Sequence, residues 1–381
     1  LWKPEAEVLM KNIRVAIIGG GIGGLSAAVA LHQIGAEVRV YERARQLGDV
    51  GAGVALQHNS QRVLDRLGLG QRVSRLGVRL RGFWLFTPDG TLVSHETYDP
   101  ETGTLGLHRA DLVAVLAAAL PAGVVHTGHR CVQFTQHDGS ARVSFHNGVS
   151  VDADIVVAAD GIHSGLQNYV VESTDPVFSG TVAYRGLIPA TRLPDWPHDL
   201  VTWGGEGKHV IAYPVRAGEL INFVGFVPAD EQMRESWSAP GDPAVLAAEF
   251  DDWDPQARHL LARVETTFKW GLYDREPLSR WTHGRLALLG DAAHAMLPHM
   301  GQGANQAIED ALALAILLRG VTAADAPAAL MRYQTLRRDH TARVQRSARA
   351  NGLGFDSGQP VSLNHSWLRD YDVEREALAA S

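Results

Sequence analysis

Cysteine is almost absent. Cys131 is alone in 381 residues, so no internal disulfide can close within the chain, which suits a reducing cytosol. Cys131 itself reads as a small buried hydrophobe. Excess positive charge is missing too: Lys and Arg number 35 against 42 Asp and Glu, a net charge of −7. That balance gives no electrostatic footprint for nucleic acid, and no polybasic segment suggests a membrane surface. No run approaches the roughly 20 apolar residues of a membrane span. The most apolar helical stretch, Ala311–Leu318, follows Glu309 and Asp310 and reads as a core helix. Leu1–Leu9, ahead of Met10, lack an n-region and a long apolar h-region, so they are expected to be an extension rather than a signal peptide. Internal repeats and low-complexity tracts are also missing. No metal is expected, and the expected location is the cytoplasm.

What the chain has is a large apolar core, with 45% hydrophobic and 20% charged residues, and glycine in particular places. Its length implies two domains. The apolar run Val15–Ile18 stops at Gly19-x-Gly21-x-x-Gly24, Leu25, Ala28, Val29 and Leu31 recur at helical spacing, and Val38–Tyr41 reads as a second strand. This is a βαβ unit. Gly19 permits the tight turn, Gly21 lets backbone approach a pyrophosphate, and Gly24 lets helix close on strand. The helix N-terminus offers free N–H groups to the phosphates. Glu42, ending the second strand, is placed to accept from a ribose 2′-OH and would repel a 2′-phosphate, so FAD or NAD is expected rather than NADP.

Further on, Gly48–Val54 is glycine-rich, either a flexible loop or backbone laid against a flat ring. Ser60–Leu67 is helical and stops at Gly68, and Leu107–Leu112 opens another helix. There Arg109 is equally a solvated charge or a phosphate contact. Arg79–Glu96 alternates around Pro88-Asp89-Gly90 as a hairpin, and three strand patterns lie between Gly180 and Val227. Two distant segments thus share one antiparallel sheet, with Leu193–Asp199 as a loop. Val151–Asp160 reads as one buried strand running into Asp160-Gly161. Gly284–His294 repeats the design, with Asp291 after Gly290. Both aspartates stand at strand C-termini, the ligand edge of an open α/β sheet. Pro298–Asn305 is a tight loop into a helix from about Gln306 to Leu318. A second long helix, Ala326–Asn351, precedes a tail holding Trp367 and Tyr371, which is expected to pack across the surface.

Three ordered motifs resemble the single-component FAD monooxygenases that hydroxylate aromatic rings, the p-hydroxybenzoate hydroxylase type. They are Gly19-x-Gly21-x-x-Gly24 with Glu42, Asp160-Gly161-x-x-Ser164, and Gly290-Asp291-Ala292-Ala293-His294. The resemblance implies an α/β fold: a Rossmann-like FAD-binding domain (10–77, 101–178 and 270–352), a discontinuous and mostly antiparallel β substrate domain (78–100 and 179–269), and C-terminal helices with a tail at 353–381. It implies that Glu42 holds the adenosine ribose, with Arg43 beside it, and that Arg109 contacts the FAD phosphates. Asp160 lies near the pyrophosphate, Asp291 binds the ribityl chain, and the amides of Gly301, Gly303, Ala304 and Asn305 face the flavin pyrimidine end. Amides at a helix N-terminus also have a physical reason to be there, since reduced flavin gathers negative charge at that end. Gln167 departs from the family, which usually has arginine at that position. His294, within the third motif, is expected to be structural.

The pair His209 and Tyr213 on one strand face resembles the substrate-contact positions of 3-hydroxybenzoate 6-hydroxylase and 6-hydroxynicotinate 3-monooxygenase, the segment Gly290–His299 resembles salicylate hydroxylase, and the hydroxynicotinate enzyme also has a histidine where His299 stands. The likeness to the hydroxynicotinate enzyme is incomplete, because Ala55 stands where that enzyme has histidine. Apart from the resemblance, a histidine and a tyrosine on a strand read as sheet packing. Trp203 is a candidate neighbour of the substrate ring, and Asp274–Pro277 is either an ion-paired turn or, the favoured reading, a flavin-side support. The resemblance implies reduction of FAD by NADH or NADPH, then O2 chemistry through a flavin C4a-hydroperoxide on a hydroxylated aromatic acid, with or without loss of CO2. A phenol reacts better as phenolate, so a histidine base is useful. His299 is the first choice, and His209 and Tyr213 would orient the substrate. The rivals are an epoxidase or dehydrogenase on the same scaffold, an idle nucleotide-binding partner protein and a plain NAD dehydrogenase. A small aromatic substrate is the expected partner, and a homodimer stays open.

Overall fold

The computed structural model describes residues 13–48, 52–172, 175–229, 239–362 and 365–381. The extension Leu1–Leu9 and the 49–51 part of the glycine-rich segment lie outside the described residues. A six-stranded sheet carries the nucleotide-binding unit, in the order Thr282–His283, Leu286–Leu288, Ile155–Ala158, Arg14–Ile18, Glu37–Tyr41, Val125–His126. Every pairing in it is parallel except the edge pair Thr282–His283 with Leu286–Leu288. Strands buried on both faces must be apolar throughout, which is why Val15–Ile18 and Ile155–Ala158 read as unbroken runs. Helices Ile22–Gln33 and Gly303–Leu318 pack together against this sheet.

Val151–Asp160 is not one strand. Ser150–Ala153 belongs to a three-stranded meander with Cys131–Gln136 and Ala141–Phe145, while Ile155–Ala158 enters the parallel sheet. Asp154 is the break: its carboxylate accepts from the Arg14 backbone N–H at 2.8 Å and from the Arg14 guanidinium at 2.9 Å. Cys131 is half-buried rather than buried, and burial raises its thiol pKa to about 11.

The second sheet has eight strands, in the order Pro240–Gly241, Thr267–Asp274, Val177–Pro189, Leu220–Pro228, Lys208–Val215, Leu200–Gly205, Gly82–Phe86, Leu92–Thr97. The distant hairpin therefore joins the later strands as expected, but through a parallel pairing of Leu200–Gly205 with Gly82–Phe86. Because side chains alternate along a strand, this sheet has two distinct faces. One carries Val182, Trp203, Val210, Ala212 and Phe223, covered by the short helices Pro243–Ala248 and Pro255–Leu261. The other carries His209, Tyr213, Asn222 and Phe226 and meets the nucleotide-binding unit.

The helix after the Pro298 loop starts at Gly303, three residues before the sequence suggests, and the long helix runs Ala326–Ser357, past Asn351. In the tail, Tyr371 stacks on His340 with ring centroids 3.8 Å apart, and Val373 and Ala377 are buried. Among the described residues no helix is long and apolar enough to cross a membrane, and no group of metal-binding side chains is found.

Candidate active site

The glycine turn is shaped by close approach. Gly19 has φ +116°, and a Cβ there would collide with the Ala159 carbonyl; one on Gly24 would collide with the Gly19 carbonyl. A Cβ on Gly21 would meet nothing within 4 Å, so that side of the turn is open to an incoming pyrophosphate. Glu42 closes the turn from below. It accepts from the Gly20 N–H at 2.6 Å and from the Ala44 N–H at 2.7 Å, and each carboxylate oxygen keeps capacity for a ribose hydroxyl. Arg43, next to it, is exposed.

The second and third motifs meet at the same edge. Gln167, fully buried, donates from Nε2 to the Ala292 carbonyl at 2.9 Å and so ties the two motifs together. Burial raises the Asp160 carboxyl pKa against a hydrogen bond from Ser164, and Asp160 Oδ1 has no partner among the described residues. Asp291 is exposed at the start of the short helix Asp291–His294. Arg109 is half-buried; burial lowers its pKa and the Asp291 carboxylate opposes that. The structure thus brings Arg109 and Asp291 within electrostatic reach of one another.

The corner Pro298–Asn305 begins as a 3-10 turn, Pro298–Met300, and reverses at Gly301 with φ +64°. The first N–H groups of the helix Gly303–Leu318 have no intrahelical acceptor. Asn305 is fully buried and its side chain is engaged by protein. Its Oδ1 accepts from the Gln57 N–H at 2.9 Å and from Ser60 Oγ, and its Nδ2 donates to the Ala55 and Gly301 carbonyls. Asn305 therefore fixes the shape of the corner through its side chain.

Opposite this corner lies the polar part of the eight-stranded sheet. His209 is fully buried between Phe226, at 4.1 Å, and Phe355, at 5.1 Å, both rings stacked on it. His299, from the corner, is buried with its ring centroid 5.2 Å from that of His209. Neither His209 Nε2 nor His299 Nδ1 has a partner among the described residues. Burial lowers both imidazole pKa values. For His209 the Asp356 carboxylate pulls the other way, whereas His299 is driven well down, with His209 adding to the effect. Tyr213 lies two positions along the same face from Ile211, and burial raises its phenol pKa. Asn222, its cross-strand neighbour, accepts from the Gly53 N–H at 2.7 Å, while its Nδ2 is buried without a partner among the described residues.

The FAD binding domain family matches residues 12–348. This chain belongs to it. The flavoprotein is 39% identical over 354 residues to the 3-amino-4-hydroxybenzoate 2-monooxygenase of Streptomyces platensis, covering 90% of this chain and 88% of the relative. It is 34% identical to the 6-hydroxynicotinate 3-monooxygenase of Bordetella bronchiseptica, across 96% of this chain and 97% of that one. A solved salicylate hydroxylase substrate complex superposes with a TM-score of 0.84 at 30% identity, covering 97% and 98% of the two chains. The protein is thus a FAD-dependent aromatic-ring monooxygenase of the salicylate hydroxylase type, and the resemblance read from the three motifs holds. The site fits the cofactor: open space at Gly21, the spare Asp160 oxygen and the N–H groups at Gly303–Asn305 are what a dinucleotide with an isoalloxazine end would use.

Two expectations for the flavoprotein need correction. Trp203 is 1% exposed and sits in the core on the far face of the sheet, against Phe86 and Trp196, because it pairs with Val210 rather than standing in line with His209. Asp274–Pro277 is an ion-paired turn: Arg349 binds Asp274 at 2.5 Å and Glu276 at 2.6 Å. His294 is structural as expected, its Nε2 lying 2.6 Å from Asp310 Oδ2. Three residues escaped the sequence reading. Asn222 carries a signal, a lone amide in an apolar strand. Arg185, on the sheet face with Phe226, lies over Trp270 at 4.0 Å; burial, aided by the charge of Arg109, lowers its pKa to about 9. Asp356 is brought to His209 by a helix that continues beyond its expected end, and spacing gives no hint of that.

Proposed function

We propose that this flavoprotein hydroxylates a phenolic aromatic acid or its aza-analogue, consuming NADH or NADPH and O2. Bound FAD supplies the redox and oxygen-activating chemistry. The observation that carries the reading is the buried His209–His299 pair, each ring keeping one nitrogen without a partner, between the sheet face and the corner. A buried polar atom left unpaired costs about 1–3 kcal/mol, so two side by side point to a polar ligand that completes them. A phenolic hydroxyl meets that need, and deprotonating it makes the ring more nucleophilic. Tyr213 and the spare Asn222 Nδ2 extend the polar strip along the same face. Arg185 and Arg109 add positive charge on this side of the sheet, which favours a carboxylate. Phe226, Phe355 and Trp270 keep the surroundings dry, which strengthens each of these interactions. The names of the relatives favour 3-amino-4-hydroxybenzoate, salicylate and 6-hydroxynicotinate as first compounds to try.

The test is a panel of these acids, scored for NADH and NADPH oxidation, hydrogen peroxide release and product mass. Stoichiometric product one oxygen heavier supports attack at a C–H position. A product that has gained a hydroxyl and lost its carboxyl supports attack at the carboxyl-bearing carbon. Oxidation of the pyridine nucleotide that ignores every aromatic acid would refute the reading.

A further inference from the structure

His209 and His299 are close enough to compete for one proton, and the structure distinguishes them. His209 Nδ1 lies 2.9 Å from Asp356 Oδ1. An ionised carboxylate only accepts, so Nδ1 carries the hydrogen and the lone pair of the neutral ring stands on Nε2. Nε2 is the atom that is buried and without a partner among the described residues. Phe226 and Phe355 hold the ring from its two faces. Among the described residues no carboxylate bonds to His299. The edge of its ring bearing Cδ2 and Nε2 rests against Gly352, where a Cβ would come within 2.6 Å of Cδ2. Among the described residues, Asp356 acts on His209, and the His209 imidazole acts on His299.

Asp356 itself is held in place. Its carbonyl accepts from the Gly207 N–H at 2.8 Å, docking the end of the helix Ala326–Ser357 on the turn between Leu200–Gly205 and Lys208–Val215. Its side chain is 30% exposed, whereas the His209 ring is fully buried.

We infer that Asp356 is the positioning residue of His209, fixing the Nδ1–H tautomer so that the bare Nε2 can take the hydroxyl proton of the substrate; His299 serves as a hydrogen-bonding neighbour. This rests on the hydroxylase reading above. In the step, the substrate O–H bond breaks and an Nε2–H bond forms, leaving a phenolate and an imidazolium whose charge Asp356 balances. No oxidant or reductant takes part.

The experiment uses FAD-loaded protein, with 3-amino-4-hydroxybenzoate and salicylate as probes. Nitrogen-15 imidazole spectra, with the His209 signals assigned by their loss in His209→Gln, are expected to show Nδ1 protonated and Nε2 bare. Asp356→Ala and Asp356→Asn are expected to keep the flavin spectrum and leave substrate KM within about threefold. They are expected to lower kcat at neutral pH by tenfold or more and shift the pH profile, and Asp356→Glu to recover part of the loss. An Nε2–H tautomer in the wild type would overturn the inference. So would an unchanged pH profile and kcat in both Asp356 variants. If the wild type turns over no aromatic acid, the hydroxylase reading fails first and this assignment falls with it. Turnover that survives Asp356→Ala intact removes the assignment alone.

Discussion

Glu42 accepts two backbone N–H bonds at once, one from Gly20 in the glycine turn and one from Ala44 just beyond the second strand, and so ties the two segments together. Hydrogen bonds to a charged acceptor contribute about 1.5–3 kcal/mol each, so Glu42→Ala loosens the glycine turn itself. The variant is expected to lose at least tenfold in FAD affinity, measured by fluorescence of the released flavin. Retention of wild-type affinity would show that the turn holds itself. A second single-residue effect concerns Gly352. Its missing side chain makes room for His299, so Gly352→Ala is expected to push that ring from its place. Flavin loading should stay normal while coupled hydroxylation drops tenfold or more, with hydrogen peroxide rising in its place. The place of Glu42 at the end of the second strand was legible from sequence because it follows from a local βαβ pattern. The Gly352–His299 contact was not, since it joins residues 53 positions apart in sequence through packing alone.

Among the elements, the helix Gly303–Leu318 carries an unusual load. Glu309 and Asp310 are both fully buried within it. Asp310 accepts from the Gly290 N–H at 3.1 Å, lies 2.6 Å from His294 and pairs with Arg337 at 2.8 Å, while Arg337 also reaches Glu309 at 2.9 Å. The third motif is thereby tied to two helices through one set of charges. Removing Arg337 would leave two carboxylates buried with fewer partners, a change that costs about 3–5 kcal/mol. Arg337→Ala is expected to lower the urea unfolding free energy by that amount, and a loss under about 1 kcal/mol would mean that the set contributes little. The sequence marked Glu309 and Asp310 as the start of an apolar helix, whereas they sit inside it, because a partner 27 residues away compensates them. The same blindness shortened the helix Ala326–Ser357. Gly352 and Gly354 look like terminators, but packing against His299 and Val361 overrides their low propensity, and the chain turns at Gly358 with φ +65°. Motifs at turns were readable; the reach of the helices, which delivers Asp356, was set by tertiary contacts.

For the molecule as a whole, the joints between its parts are built on neutral histidines. His209 and His299 sit where the eight-stranded sheet meets the nucleotide-binding unit, and His340 lies under Tyr371 where the tail docks. Burial lowers all three, His340 to about 3 with the charge of Arg337 assisting. In the unfolded chain each titrates at about 6.5. As pH falls below that value the unfolded state takes up protons that the folded state refuses, so stability declines; above it both states are neutral and nothing changes. Each such histidine removes about 1.4 kcal/mol per pH unit until its folded pKa is reached. Asp310 does not mask this trend. Burial pushes its carboxyl up, but His294 and Arg337 bring it down to about 2, so its contribution is intact above the usual carboxylate range and is lost only as pH falls from about 4 toward 2. Urea midpoints of the FAD-loaded protein should therefore be level from pH 7.5 to about 6.5 and fall steadily to pH 5.5. His340→Phe, which keeps a ring under Tyr371, should reduce that slope by about one proton. A midpoint that stays level down to pH 5.5 would mean that water reaches these histidines in the folded protein, and that the joints are far wetter than their burial indicates.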